Sequence, residues 1–385
     1  MFKGRFWVMI AVLMLVCSAC STTEKVESNR NSAENSSGAP TPSSTGNISS
    51  TTKIYKAALA DNLKADASME IPDVKDIPIL QVAENGFDEN HLLDVFLGSK
   101  DAQVKNNDGE TDYTLNGKTL KVFKDSGSFN LITPAGDYIN SIIDNMNGGI
   151  DTAFESKELD FMTISKATEQ VAGIFNQLHI TPHLPPKVYT LDYATLQREQ
   201  DTLIQDQDFK YFVDLGKIKL KEKWNKEDEA YYMVFRIDIH GIPCTPTGYT
   251  LQSSEVEVPG SEVRVIVSKN GIESFDIEGS IYKELNAKAN PSFLISLEQA
   301  LDSLKKKFDT IILKDELTVR NISIMYVPQI TSSNVDPKTG VLLNKKLEMI
   351  PAWCFNIEQK YTKGGKVNTG SIVVNINAVT GEEIL

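Results

Sequence analysis

Apolar positions recur in the same order in two stretches about 133 residues apart. Ala167, Val171 and Phe175 reappear as Ala300, Leu304 and Phe308, four residues apart in each case, behind the starts Thr163-Ile164-Ser165-Lys166 and Ser296-Leu297-Glu298-Gln299. A spacing of four keeps side chains on one helical face, and Ser296 with Gln299 makes a capping box. Each stretch therefore predicts a helix with a defined start and one buried stripe. Segments rich in β-formers follow: Val188 to Leu196, Ala230 to Ile239 and Val263 to Ile277 after the first helix, then Leu317 to Val327, Met349 to Tyr361 and Ser371 to Ile384 after the second. The predicted order is α-β-β-β, twice. Turn signals fall in comparable places, at Asn270-Gly271 and Thr380-Gly381. Residues 197–226 interrupt the first copy with a polar, partly helical insertion.

Upstream, residues 53–155 read as a small α+β module. Strands are predicted at Ala65 to Pro72 and Ile77 to Val82. A helix follows, with Asp88 as its N-cap, Leu92, Leu93 and Phe96 as its stripe and Gly98 at its end. Asn116-Gly117, between Tyr113-Thr114-Leu115 and Leu120-Lys121-Val122-Phe123, is a type I′ hairpin signal.

The first fifty residues have another character. Lys3 and Arg5 precede an apolar run, Phe6 to Val16, that is too short for a bilayer, which needs roughly 20 residues. This is the profile of a signal peptide, residues 1–19. It ends in Cys17-Ser18-Ala19-Cys20, which resembles a lipobox, with Cys17 where Leu is usual. The resemblance implies cleavage before Cys20 and lipidation of its thiol; ordinary secretion and an uncleaved anchor are the competing readings. Residues 21–52 hold 15 Ser or Thr and only Val26 and Ile48 as clearly apolar non-Ala side chains, too few to drive folding. With Cys20 they form a disordered tether, residues 20–52, spanning about 30 Å.

The formal charge of −13 becomes −15 once Lys3 and Arg5 are removed. An acidic chain without a strong basic patch is repelled by phosphate backbones, so nucleic acid is not an expected partner. Cys244 and Cys354 are the thiols left after Cys17 and Cys20, too few for a disulfide framework. They either pair in one bridge or sit as two separately buried thiols.

The closing stretch Val373 to Ile384, with Pro351-Ala352-Trp353 before it, resembles the end of a PepSY-type module. Tandem modules of this sort resemble the extracellular parts of the Yyc two-component regulatory proteins. The chain from 53 to 385, including Ala65-Asp66-Ala67 and Ile71-Pro72-Asp73, is also similar to clostridial lipoproteins of unknown function. The resemblance implies PepSY-like units at 156–290 and 291–385, a non-catalytic regulatory or binding role outside the cell, and no catalytic residues.

The residues that carry chemistry elsewhere add little. His179 and His183 have helical Zn²⁺ spacing, but Pro182, Pro185 and Pro186 break a helix there, and the pair reads as a polar connection. His91 and His240 stand alone. Asp144 to Glu155 echoes a calcium loop, yet Met146 and Gly148 occupy positions that need oxygen side chains. No nucleophile elbow or phosphate-cradling loop is present, and neither metal nor cofactor is expected. Lys217, Lys219, Lys221 and Lys223 alternate with Ile218, Leu220 and Glu222, so a strand there would carry Lys on one face. Edge protection is the plain reading. Contact with wall polymer or lipid headgroups, helped by Trp224, is the functional one. Trp353 reads as core.

The expectation is an α+β chain: a lipidated tether, a small module, and two units of a helix on an antiparallel sheet. Its role would be non-catalytic binding or regulation on the extracytoplasmic face of a bacterial membrane, with an envelope protein or wall polymer as partner. A solute-binding lipoprotein of a transporter and an envelope hydrolase without a recognisable motif are the alternatives. A transporter partner would need a deep cleft with convergent polar groups; a hydrolase would need perturbed carboxylates or a His inside one.

Overall fold

A computed structural model describes residues 53–73, 77–123, 128–146, 149–251, 256–287, 294–309, 315–335, 342–363 and 366–384. Residues 1–52, with the predicted signal, Cys20 and the predicted tether, lie outside the described residues. In chain order, β1 (Lys53–Ala60), β2 (Leu63–Glu70) and β3 (Leu80–Glu84) precede α1 (Glu89–Phe96). Then β4 (Gln103–Asn107), β5 (Glu110–Leu115), β6 (Lys118–Phe123) and β7 (Phe129–Ile132) lead to α2 (Pro134–Ile143), the single turn α3 (Ile150–Ala153) and α4 (Ile164–Gln177). Next come β8 (Lys187–Leu191), α5 (Tyr193–Leu203), α6 (Gln207–Asp214), β9 (Ala230–Arg236), β10 (Asp238–Ile239), β11 (Ile242–Pro243), β12 (Tyr249–Leu251) and β13 (Val256–Val258). The hairpin of β14 (Ser261–Ser268) and β15 (Gly271–Gly279) is followed by β16 (Tyr282–Ala287), α7 (Leu297–Asp309), β17 (Glu316–Val335), β18 (Leu342–Lys363), β19 (Lys366–Asn377) and β20 (Glu383–Ile384).

The local signals resolve into elements for identifiable reasons. The Asp88 carboxylate accepts from the His91 backbone N–H at 2.8 Å and starts α1, and Gly98, at φ +67°, ends it. Thr163 caps α4 through the Lys166 N–H. At α7 the Gln299 N–H donates to Ser296 Oγ at 3.3 Å, and the Ser296 N–H donates back to Gln299 Oε1 at 2.8 Å. Asn116 and Gly117 take φ of +51° and +79°, the left-handed pair that a type I′ turn between β5 and β6 requires.

The strands form two eight-stranded sheets. The first runs β1-β2-β17-β18-β19-β20, with β3 paired to both β18 and β16; the second runs β4-β5-β6-β7-β15-β14-β9-β8. Both predicted helices lead into antiparallel meanders, α4 into β8-β9-β14 and α7 into β17-β18-β19. Ala167, Val171 and Phe175 of α4 join α1 on one face of the second sheet, while Ala300, Leu304 and Phe308 of α7 pack on the first. Each large side chain so buried contributes about 1.5–3 kcal/mol.

The α+β class is therefore observed, but sheet outweighs helix and the organisation differs from expectation. Residues 53–155 do not make a sheet of their own: β1 to β3 enter the first sheet and β4 to β7 the second. Their apolar faces are too narrow to close a core alone and are completed by β17, β18 and β15. The first sheet is also mixed, because β2 pairs with β17 in parallel. The β-reading of 188–196 holds only to Leu191, since Asp192 accepts from the Thr195 N–H and starts α5. β16, within the 156–290 span, pairs with β3 in the first sheet.

Cys244 and Cys354 do not pair. Both are free and buried, Cys244 on the α7 face of the first sheet and Cys354 on the opposite face with Met325, Val327 and Ile350. A sheet lies between them, so no bridge geometry is available.

Candidate functional site

Alternation along the strands gives the second sheet two unlike faces. Leu120, Val122, Phe129, Leu131, Val263, Val265, Phe275 and Ile277 point to the α1 and α4 side. The other face is covered over β8, β9 and β14 by α2, α5 and α6, through Ile139, Ile142, Leu196, Leu203 and Phe209. Over β6, β7 and the Asp276 end of β15 that cover stops. A cleft of about 550 Å³ opens there, walled by Asp137 and Tyr138 of α2 and by Lys219, and floored by Thr119, Lys121, Asn130 and Asp276.

The floor is an ordered polar row. Lys105 pairs across the sheet with Asp112, Asp112 with Lys121, Lys121 with Asn130, Asn130 with Asp276, and Asp276 with Arg264. Five charges of alternating sign, with the neutral Asn130 among them, thus cross six strands on one face. Opposed neighbours of this kind favour their register. Asn130 Nδ2 donates to Asp276 Oδ1 at 2.9 Å, Lys121 Nζ lies 3.8 Å from both Glu110 and Asp112, and Arg264 bonds Glu262 at 2.9 Å and Glu278 at 3.3 Å. Burial works against the Arg264 charge, but Tyr232, Glu262 and Glu278 outweigh it and push its pKa further up. Lys219 Nζ reaches Asp137 at 3.3 Å across the cleft wall. The site therefore offers donors and acceptors of both signs beside the rings of Tyr138 and Phe123.

α2 is held over the sheet by close contact. Thr133 caps it through the Gly136 N–H at 3.1 Å, and the Thr133 hydroxyl also donates to the buried Glu273 carboxylate, which accepts from Ser268 Oγ at 2.5 Å. A Cβ on Gly136 would lie 2.3 Å from the Glu273 carbonyl oxygen, so only glycine permits this approach.

The residues singled out in the sequence are divided by the structure. The 217–223 segment is not a strand; it runs irregularly along the helical layer, with Ile218 and Leu220 turned into the cluster beneath α5 and α6. Its alternation reflects that packing rather than edge protection. Lys219 lines the cleft, Lys217 and Lys223 are exposed, and Lys221 bonds Asp228 with its ammonium 5.5 Å from the Trp224 ring centre. Trp224 is 3% exposed and donates from Nε1 to Gln200 Oε1 at 2.9 Å, so it is core and offers no platform to a ligand. Trp353 is likewise buried and donates to the Ile295 carbonyl.

The histidines are dispersed. α4 ends at Gln177 before His179, which takes φ +56° and stacks near His91; His183 pairs with Asp238 at 2.9 Å and His240 with Glu284 at 2.6 Å. Asp151 of the calcium-like stretch is bonded to Lys187 and Tyr189, and residues 147 and 148 lie outside the described residues. Among the described residues no group of three or more His, Cys, Asp or Glu is placed to hold a metal. Glu229, whose pKa burial raises against the opposing Tyr193 N–H, does not line the cleft. Lys121, Asn130, Asp137, Tyr138 and Asp276 were not legible as a group. The alternation of β6 marks Lys121 as facing away from the core, but its neighbours come from positions up to 155 residues away.

No helix among the described residues is long and apolar enough to cross a membrane. No protein-family model and no curated protein matches the chain. The crystal structure of an uncharacterised protein from Eubacterium rectale ATCC 33656 is similar to it, at 16% identity and a TM-score of 0.62, over 88% of this chain and 95% of that one. At that identity the likeness is one of fold, and it takes in both sheets.

Proposed function

We propose that the protein is a lipid-anchored component of a bacterial envelope that binds an envelope protein or wall polymer without catalysis, on the extracytoplasmic face. The observation that carries the reading is the cleft on the second sheet. Its floor and walls present paired charges of both signs, an arrangement suited to holding a polar ligand rather than to moving a proton or activating a nucleophile. The signal, the lipobox-like Cys17-Ser18-Ala19-Cys20 and the Ser/Thr-rich stretch behind it supply the anchor and the location. In this reading α4-β8-β9-β14 and α7-β17-β18-β19 are two PepSY-like units whose sheets the remaining strands extend.

Capture from crosslinked envelopes tests the binding. Wild-type chain should retain protein or wall material above a Cys20→Ser control, and Lys121→Glu with Asp276→Lys should lose it. Retention equal to the control, or unaffected by the cleft changes, would reject the reading. Lipidation is checked separately, by the mass of the mature chain and its loss from the membrane fraction in Cys20→Ser. The cleft volume favours a second reading, since about 550 Å³ lies in the range of small-ligand sites, as a solute-binding lipoprotein of a transporter would need. Calorimetric titration with oligosaccharides and short peptides separates the two.

A further inference from the structure

The side chains of the cleft on the second sheet select the chemistry of what it holds. Its floor lies on β6, β7 and the Asp276 end of β15, in the middle of the sheet, so the backbone N–H and C=O groups there are committed to neighbouring strands. A ligand meets side chains only. An extended peptide draws much of its affinity from a main-chain ladder at a free sheet edge, and this floor has no such edge to give it. The charges disfavour ionic ligands of either sign. Lys121 and Lys219 line the cleft together with Asp137 and Asp276. Behind Lys121 stand Glu110 and Asp112, and Arg264, beyond Asp276, is engaged by Glu262 and Glu278. An anionic polymer would lie against Asp137 and Asp276, and a cationic one against Lys121 and Lys219, so both meet like charge.

What the cleft leaves open is hydrogen-bonding capacity of both kinds. At 3.8 Å from Glu110 and Asp112 the Lys121 ammonium is too far for a direct hydrogen bond, which leaves its N–H donors to a ligand. Among the described residues Asp112 Oδ1, buried beside it, accepts no hydrogen bond. Asn130 occupies Oδ1 of Asp276 and leaves Oδ2 as an acceptor. A ligand hydroxyl donates and accepts at once, so it can take a bond from Lys121 or Asn130 while giving one to a carboxylate. Phe123 and Tyr138 add electron-rich ring faces, against which the C–H face of a pyranose packs. Lys121, Asn130 and Asp276 sit on adjacent strands about 4.8 Å apart, close to the length of one pyranose along a glycan. The cleft, at about 550 Å³, has room for more than one such ring.

We infer that the cleft binds an uncharged glycan, laid across β6, β7 and β15 with its hydroxyls shared among Lys121, Asn130 and Asp276 and its rings against Phe123 and Tyr138. The inference rests on the reading of this cleft as the ligand site, and it names neutral polysaccharide as the chemistry that site takes.

The test is calorimetric titration of the chain from Ser21 onward, which contains every described residue, with hexasaccharides that differ in charge. Cellohexaose, maltohexaose and the N-acetylglucosamine hexamer are the neutral probes, hexagalacturonate the anion and the glucosamine hexamer the cation. At least one neutral probe should saturate with a Kd below about 1 mM, on the order of tenfold tighter than either charged one. Raising salt from about 0.05 to about 0.5 M should leave that Kd unchanged, because no ion pair forms on binding. Lys121→Met and Asp276→Ala should each weaken it on the order of tenfold, whereas Lys105→Met, in the same row but outside the cleft, should not. The charge series and the salt step use wild type alone, so they decide the matter even where a variant misfolds. Absence of binding by all three neutral probes, equal binding of a charged hexamer, or a Kd indifferent to Lys121→Met and Asp276→Ala overturns the inference. Co-sedimentation with insoluble wall glycan, competed by the best hexamer, assigns the ligand to the wall; hexamer binding without it assigns the same chemistry to a free oligosaccharide. Envelope capture that depends on the cleft without any glycan binding would reject the glycan and keep the binding reading, and loss of both would reject both.

Discussion

Behind α7, β17 and β18 run for 20 and 22 residues, and their sheet is covered on both faces, by α7 on one and by Tyr249, Ile79 and Ile384 on the other. Behind α4 the same order of elements gives a sheet whose second face is covered over β8, β9 and β14 and bare over β6 and β7. The connections account for the difference. In the first copy the step from β8 to β9 carries α5 and α6, and α2 arrives from the N-terminal stretch to lie beside them. In the second, β17 and β18 pair as long antiparallel strands, and only six residues separate Val335 from Leu342. The repeated meander supplies the scaffold in both; the inserted helices decide where a cleft exists.

The comparison can be broken at several depths. Phe175→Ala and Phe308→Ala remove equivalent side chains from the two copies, and each should cost about 3–5 kcal/mol in denaturant unfolding. Followed through Trp224 in the cluster above the second sheet and Trp353 in the first sheet, both variants should shift both signals. A shift confined to one tryptophan would mean that the sheets unfold separately. Gly136→Ala should cost about 1–3 kcal/mol, because α2 must lift from the Glu273 carbonyl, and it should disturb ligand capture while leaving Trp353 emission unchanged. Trp224→Phe leaves Gln200 Oε1 without its buried donor and should cost on the order of 1–2 kcal/mol, read from the thermal midpoint.

The thiols give a pH test. Burial pushes the Cys354 pKa up to about 12, against the smaller lowering effect of its hydrogen bond to Met325, and burial pushes Cys244 up as well. Unfolded thiols ionise near 8.5, so the unfolded state gains charge first. The stability held below that pH is therefore lost as pH rises toward the folded values, by on the order of 1 kcal/mol at pH 9. Alkylation at pH 8 should modify neither cysteine in the folded chain and both after denaturation. Lys219→Ala should change stability least, under about 1 kcal/mol, since its bond to Asp137 is exposed. A larger loss would show that this pair holds the cleft wall closed.

Much of the molecule was legible where the cause was local. The Asp88 and Thr163 caps, the Ser296 and Gln299 box and the left-handed Asn116-Gly117 turn act within a few residues of themselves, and α1, α4, α7 and the β5-β6 hairpin stand where those signals put them. The stripe of four-residue spacing correctly marked which side chains of α4 and α7 are buried. The lysine alternation misled, because Ile218 and Leu220 in an irregular segment leave the same trace as a strand with one apolar face.

What the sequence determined by itself is thus α1, α4 and α7 with their buried stripes, the Asn116-Gly117 turn, the acidic balance and the export-like start. Only the tertiary structure decided that residues 53–132 would be shared between two sheets, that Cys244 and Cys354 would face opposite sides of one of them, and that Lys121, Asn130, Asp276 and Arg264 would fall in a row. Pairing across a sheet joins positions more than a hundred residues apart, and no period along the chain encodes the register. The cleft follows from where that assembly runs out of cover.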